Sequence, residues 1–133
     1  MIVLDTHVLV WAVNKERKLG RKSKALIERA WASGAAAVSA MSFWEAGLLH
    51  ERRRLTLPAP PAEWREQLLT AGLTELPVDG WIATRALDLQ TLPTDPMDRL
   101  IAATALRHHA ALLTADEAIL AWPHALERHD ARA

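Results

Sequence analysis

Ile2-Val3-Leu4-Asp5-Thr6-His7-Val8-Leu9-Val10-Trp11 follows Met1 and joins a strand signal directly to a helix signal. Three apolar residues, two of them β-branched, suit a short strand covered on both faces, since such strands lack the alternation of half-exposed ones. Asp5-Thr6 follows as a helix-start signal, and His7 to about Asn14 reads as the helix. A strand that runs straight into a helix is the first half of a βαβ unit, which calls for more strands of the same kind downstream.

They recur. Ala35 to Val38, Leu73 to Val78 and Ala111-Leu112-Leu113 read as further short strands, with a weak edge strand near Ala125 to His129. Ser23 is a candidate cap for a helix carrying Leu26, Ile27, Ala30 and Trp31 up to Gly34, and Ser39 or Ser42 for one that runs to Arg52-Arg53-Arg54. A helix from Ala62 to near Gly72 carries Trp64, Leu68 and Leu69; Asp79 caps another that Pro93 terminates; and Asp95 to His109, with Pro96 at its first position, is the clearest helix of all. Thr114 is expected to start a short helix to Ala121. Strands alternating with helices throughout predict a single domain over residues 1–133, a three-layer α/β/α sandwich around a mostly parallel central sheet.

Composition narrows the classes. Half of the 133 residues are apolar and cysteine is absent, so one ordinary core is expected, with no disulfide framework or thiolate metal site. No apolar run has the length of a membrane span and the N-terminal stretch lacks a basic leader, so the expectation is an unprocessed cytoplasmic protein. Formal charge is zero but uneven: residues 1–54 hold ten Lys and Arg against five acids, and residues 55–133 six against eleven. That balance argues against a broad basic nucleic-acid surface and leaves room for a local patch such as Lys15 to Lys24.

Four acids share one structural address. Asp5 follows the first strand, Glu45 is expected in the first turn of the helix after the second, Asp98 lies near a helix start, and Asp116 follows the fourth strand. All four would gather at the carboxyl edge of the sheet, where open α/β sheets bind ligands. Each alone is explained by helix capping: Ser42-Phe43-Trp44-Glu45 and Thr114-Ala115-Asp116-Glu117 match the capping box, and Asp95-Pro96-Met97-Asp98 is a close variant. Asp79, which opens a helix after a strand, is the internal control. Together, four carboxylates repel one another unless a cation intervenes, and an oxygen-only set suits Mg²⁺ or Mn²⁺.

The same residues resemble a known family. Ile2 to Trp11, Val38-Ser39-Ala40-Met41-Ser42-Phe43-Trp44-Glu45, Asp95 to Ala105 and Leu112-Leu113-Thr114-Ala115-Asp116 are similar, in order, to the motifs of PIN-domain toxins of the VapC type. The resemblance covers residues 1 to about 120 and weakens where Pro123 and His124 interrupt the expected final strand. It implies a divalent-metal endoribonuclease using Mg²⁺ or Mn²⁺, with Asp5, Glu45, Asp98 and Asp116 as an acidic quartet. Thr114 and Thr6 would assist by hydrogen bonds, and Arg99 is a candidate phosphate or antitoxin contact. It further implies an RNA substrate, a homodimer and a cognate antitoxin protein.

Rival patterns fail on single residues. A haloacid-dehalogenase-like phosphatase needs a second Asp where His7 stands, a receiver domain needs a late Lys although the last lysine is Lys24, and a zinc-protease helix needs a His where Arg54 stands. His7 is read as a packed or hydrogen-bonded side chain rather than a ligand, His108 and His109 as facing different sides of a helix, and the six Trp as core or dimer interface rather than base-stacking platforms. The remaining alternative is a catalytically inactive protein- or RNA-binding module whose acids serve only as caps.

Overall fold

The computed structural model describes residues 1–92 and 95–133. Five strands, β1 (Ile2–Leu4), β2 (Ala36–Ser39), β3 (Thr74–Leu76), β4 (Ala111–Thr114) and β5 (Arg128–Asp130), form one sheet in the order β3-β2-β1-β4-β5. Every pairing is parallel, so the sheet is wholly rather than mostly parallel, and the weak edge strand expected near the C-terminus is realised as β5. The helices are α1 (Thr6–Val13), α2 (Arg21–Ala32), α3 (Ala40–Glu51), α4 (Pro61–Thr70), α5 (Gly80–Asp88), α6 (Pro96–Arg107) and α7 (Glu117–Ala121).

Two cores sandwich the sheet, and the strand residues alternate between them. Ile2, Leu4, Ala36, Val38, Ala111 and Leu113 face one core with Val8, Ile27, Phe43 and Trp64 from α1 to α4. Val3, Ala37 and Leu112 face the other with Ile82, Ile101 and Ile119 from α5 to α7. This is the expected three-layer sandwich, and it explains why the strands read as continuous apolar runs. No helix among the described residues is long and apolar enough to cross a membrane.

Several local readings need correction. Gly20, not Ser23, caps α2; Ser23 sits in the first turn of the helix, buried, and its hydroxyl donates to the Asp130 carbonyl at 3.0 Å. A side chain at Gly20 would meet the carbonyl of Ala133 at 2.1 Å, so the closing segment of the chain dictates the residue there. Helix α4 starts at Pro61, whose fixed φ suits the first helical position. Thr114 ends β4 rather than starting α7, which Asp116 caps. Pro93, expected to terminate α5, lies outside the described residues; α5 itself ends at Asp88.

The strand order creates the site. The chain leaves β1 towards one face of the sheet and β4 towards the other, so the neighbouring ends of β1 and β4 part and open a crevice. Such a topological switch point is where open α/β sheets place their ligands.

Candidate active site

Asp5 stands at that switch point. Its backbone N–H extends the ladder by donating to the Leu113 carbonyl at 3.0 Å, and its carbonyl accepts the first helical bond of α1 from Leu9. The carboxylate is nearly sealed from solvent, at 6% exposure. One oxygen accepts from the Thr6 N–H at 2.8 Å and the other from the Thr114 hydroxyl at 2.7 Å. Thr114 Oγ1 in turn accepts from the Asp116 N–H at 3.0 Å, so one buried hydroxyl ties the ends of β1 and β4 together.

The other acids arrive from separate elements. Asp116 caps α7 through its Oδ1, which accepts from Ile119 N–H at 3.0 Å. Asp98 occupies the third position of α6 and donates its own N–H to Asp95 Oδ1 at 3.0 Å, so Asp95 is the cap, as the motif implied. Glu45 departs from expectation. The cap of α3 is Ser39, whose hydroxyl accepts from Met41 N–H at 3.2 Å, so Glu45 lies in the second helical turn and the Ser42–Glu45 capping box does not form. Ser42 is instead buried, and its Oγ accepts from the Thr6 hydroxyl at 3.0 Å, which braces α1 against α3. Capping therefore accounts for Asp116 and not for Glu45.

Asp5, Glu45, Asp98 and Asp116 line a single cavity of about 340 Å³, together with His7, Trp11, Asp95, Ala115 and Arg132. The control, Asp79, caps α5 through a 2.9 Å bond to Ile82 N–H and is absent from the lining. Arg99 is absent too; its Nε is buried and finds no hydrogen-bond partner among the described residues. His7, read as a packed or hydrogen-bonded side chain, is instead exposed and borders the cavity, as does the half-buried Trp11. Arg132 carries no local motif; the β4–β5 pairing and the return of residues 131–133 onto the start of α2 bring it here.

Burial and nearby carboxylates disfavour charge on Asp5 and Glu45. Burial pushes the Asp5 carboxyl above its ordinary range and Asp116 adds to it, against the bonds from Thr114 and Thr6 and the nearby His7. Burial also raises Glu45, with Asp5 and Asp95 contributing; the Thr6 hydroxyl, although directed to Ser42 Oγ, lies close enough to oppose the rise. A cation would relieve this repulsion. As the side chains stand, no group of three His, Asp or Glu among the described residues is gathered tightly enough to hold an ion. The donor set nonetheless suits Mg²⁺ or Mn²⁺, since Mg²⁺ keeps several waters and takes only one or two carboxylates directly.

A larger groove of about 690 Å³ lies elsewhere, between α1, α2 and α4. Val13, Leu19, Ile27, Trp31 and Leu68 form its apolar floor, Lys15, Glu16, Lys24 and Glu28 also line it, and it contains none of the four acids. Its apolar lining suits a protein segment better than a phosphodiester.

The PIN domain model matches residues 2–123. With the crevice at the switch point and four acids around it, the chain belongs to the PIN-domain family. Within that family it is 34% identical to Ribonuclease VapC22 of Mycobacterium tuberculosis over 128 residues, 92% of each protein. Solved structures share the fold. VapBC2 from Rickettsia felis bound to a promoter DNA fragment superposes with TM-score 0.68 at 20% identity, over 97% of this chain and 98% of that one. A toxin-antitoxin complex from Klebsiella pneumoniae gives 0.66 at 22% identity, over 92% and 93%.

Proposed function

We propose that this chain is a divalent-metal-dependent endoribonuclease and the toxin of a toxin-antitoxin pair. The observation that carries the reading is the convergence of Asp5, Glu45, Asp98 and Asp116, from four separate segments, on one cavity at the switch point. Kinship with a protein named as a ribonuclease supports the reaction class. The four carboxylates would hold Mg²⁺ or Mn²⁺, which when bound supplies an activated water and offsets charge on the phosphate in an in-line displacement.

The chain's own residues prepare that step. Thr114 and Thr6 fix both oxygens of Asp5, which turns its carboxylate towards the cavity without a search among rotamers. Asp116 spends one oxygen on capping α7 and keeps the other available. Glu45 and Asp98, on α3 and α6, approach from rigid helices rather than loops.

The apolar groove between α1, α2 and α4 suits a segment of the antitoxin, and the exposed Trp44 and Trp81 suit burial against a partner chain, either antitoxin or a second copy in a homodimer. Both partners are part of the proposal, as is a cytoplasmic site of action. The competing reading is an inactive binding module whose acids are caps; the position of Glu45, away from any cap, counts against it.

Incubation with RNA tests the reading. Cleavage should require Mg²⁺ or Mn²⁺, stop on chelation and leave 5′-phosphate ends, because water rather than the ribose 2′-hydroxyl attacks. Cleavage in excess chelator, cyclic phosphate ends, or metal-loaded protein that binds RNA without cutting it would overturn it.

A further inference from the structure

Among the described residues lining the acidic cavity, Arg132 is the only Lys or Arg. A cavity lined by Asp5, Glu45, Asp95, Asp98 and Asp116 repels the phosphodiester it is proposed to cut, so a fixed cation at its rim has an evident use. Arginine suits it, because the planar fork matches two oxygens of a phosphate.

The fork is held in place from both directions. The backbone that carries Arg132 is pinned between the end of β4 and the start of α2: Ala131 N–H donates to the Thr114 carbonyl at 2.8 Å, Gly20 N–H to the Ala131 carbonyl at 2.9 Å, and Ser23 N–H to the Ala133 carbonyl at 3.0 Å. The bare Cα of Gly20 permits that approach. Arg132 thus stands two residues beyond Asp130, the register partner of Thr114, whose hydroxyl holds Asp5.

Its guanidinium is oriented but not used up. Nε and Nη2 donate to the two oxygens of Asp130 at 3.1 and 3.3 Å, and Nη1 donates to Glu117 at 3.4 Å. A guanidinium has five N–H donors, so donors remain for a ligand. Glu117 is 84% exposed, and a long contact to so exposed an acid is exchanged for a phosphate at little cost. The Asp130 pair would keep the fork aimed meanwhile.

Resting on the proposed ribonuclease activity, we infer that Arg132 is the substrate-phosphate contact of this site, holding a phosphate of the RNA strand beside the four acids. A contact made equally in the bound substrate and the transition state appears in KM rather than in kcat.

Steady-state cleavage of a single-stranded oligoribonucleotide at saturating Mn²⁺, over a salt series, tests this. Arg132→Gln should raise KM several-fold with kcat near the parent's, and should flatten the slope of log KM against log salt by about 0.7, the share of one phosphate contact on a single strand. Arg132→Lys should keep the slope. Glu117→Gln should lower KM by freeing the fork. A brace that merely holds the chain's last residues would change melting temperature and leave the salt slope alone. A folded Arg132→Gln protein with the parent's KM and slope overturns the inference while the ribonuclease reading stands. If Arg132→Gln does not fold, an unchanged KM in Glu117→Gln overturns it instead. A parent that cleaves no RNA overturns the ribonuclease reading and this inference with it.

Discussion

The Thr114 hydroxyl donates to Asp5 at 2.7 Å while accepting from the Asp116 N–H at 3.0 Å, so a single oxygen links two candidate ligands that follow adjacent strands. Thr114→Val keeps the shape and removes both bonds. The lost buried bonds should cost about 1–3 kcal/mol. Asp5, without its donor, should titrate still higher and bind Mn²⁺ more weakly. Thr114→Ser should recover both properties. Thermal melts and Mn²⁺ titration of the two variants check this; equal Mn²⁺ affinity in Val and Ser would separate Thr114 from the site.

Asp5 also sets a pH dependence. Burial raises its carboxyl in the folded chain above the unfolded value, so folding takes up a proton and stability from this group falls as pH rises from near 3.8 through the folded value. Above that window the carboxylate carries its full burial penalty. In chelator, Asp5→Asn should therefore melt higher than the parent at pH 7, with the gap closing as pH drops to about 3.5, below the unfolded value. Adding Mn²⁺ should close the gap at pH 7 by stabilising only the parent. Melting curves across pH, with and without metal, decide it; a gap that widens on acidification would reverse the assignment.

Asp98 and Asp79 separate chemistry from capping. Asp79 makes a cap bond and lies outside the cavity, whereas Asp98 lines the cavity and leaves capping to Asp95. Asp98→Asn should leave the protein folded and reduce cleavage by at least about a hundredfold, the scale of losing one preorganised transition-state group. Asp79→Asn should change stability by less than about 0.5 kcal/mol, since Asn caps as well as Asp, and leave cleavage intact. Two variants with equal activity would remove Asp98 from the quartet.

His109 is exposed and adopts φ 50° immediately after the C-cap of α6, a left-handed conformation that costs an L-residue about 1–2 kcal/mol relative to glycine. His109→Gly should raise the melting temperature by roughly 2–5 °C without altering cleavage. A lower melting temperature would mean that the imidazole contributes more than the backbone strain removes.

Much of this architecture is legible from short stretches because its signals are local. A strand ending in Asp5-Thr6, a Pro96 preceded by the Asp95 cap, and apolar runs without alternation each depend on a few neighbours. What escapes such reading depends on distant partners. Ser39 and Ser42 are equally good caps by type; Ser39 takes the role where β2 ends, in register with Leu76 of β3, while the Ser42 hydroxyl is engaged by Thr6 of another helix. Ser23 looks like a cap until residues 130–133 fold back onto Gly20, more than a hundred positions earlier in the chain. Arg132 reaches the cavity by the same return, which no spacing near it announces.

The pairing of β1 with β4 has a consequence for how this chain tolerates length changes. Leu4 sits opposite Leu113, and the site hangs on the next residue of each strand, Asp5 and Thr114. Neighbouring strand residues point to opposite faces, so one residue inserted between Ala111 and Leu113 would turn the Thr114 hydroxyl away from Asp5 and exchange the apolar sides that the two helical layers expect. An insertion of the same size between Lys15 and Leu19, outside any helix or strand, leaves that alignment untouched. Single-codon insertion scanning would thus trace the β1–β4 seam as a narrow intolerant band, mapping the centre of the site without altering any of its acids.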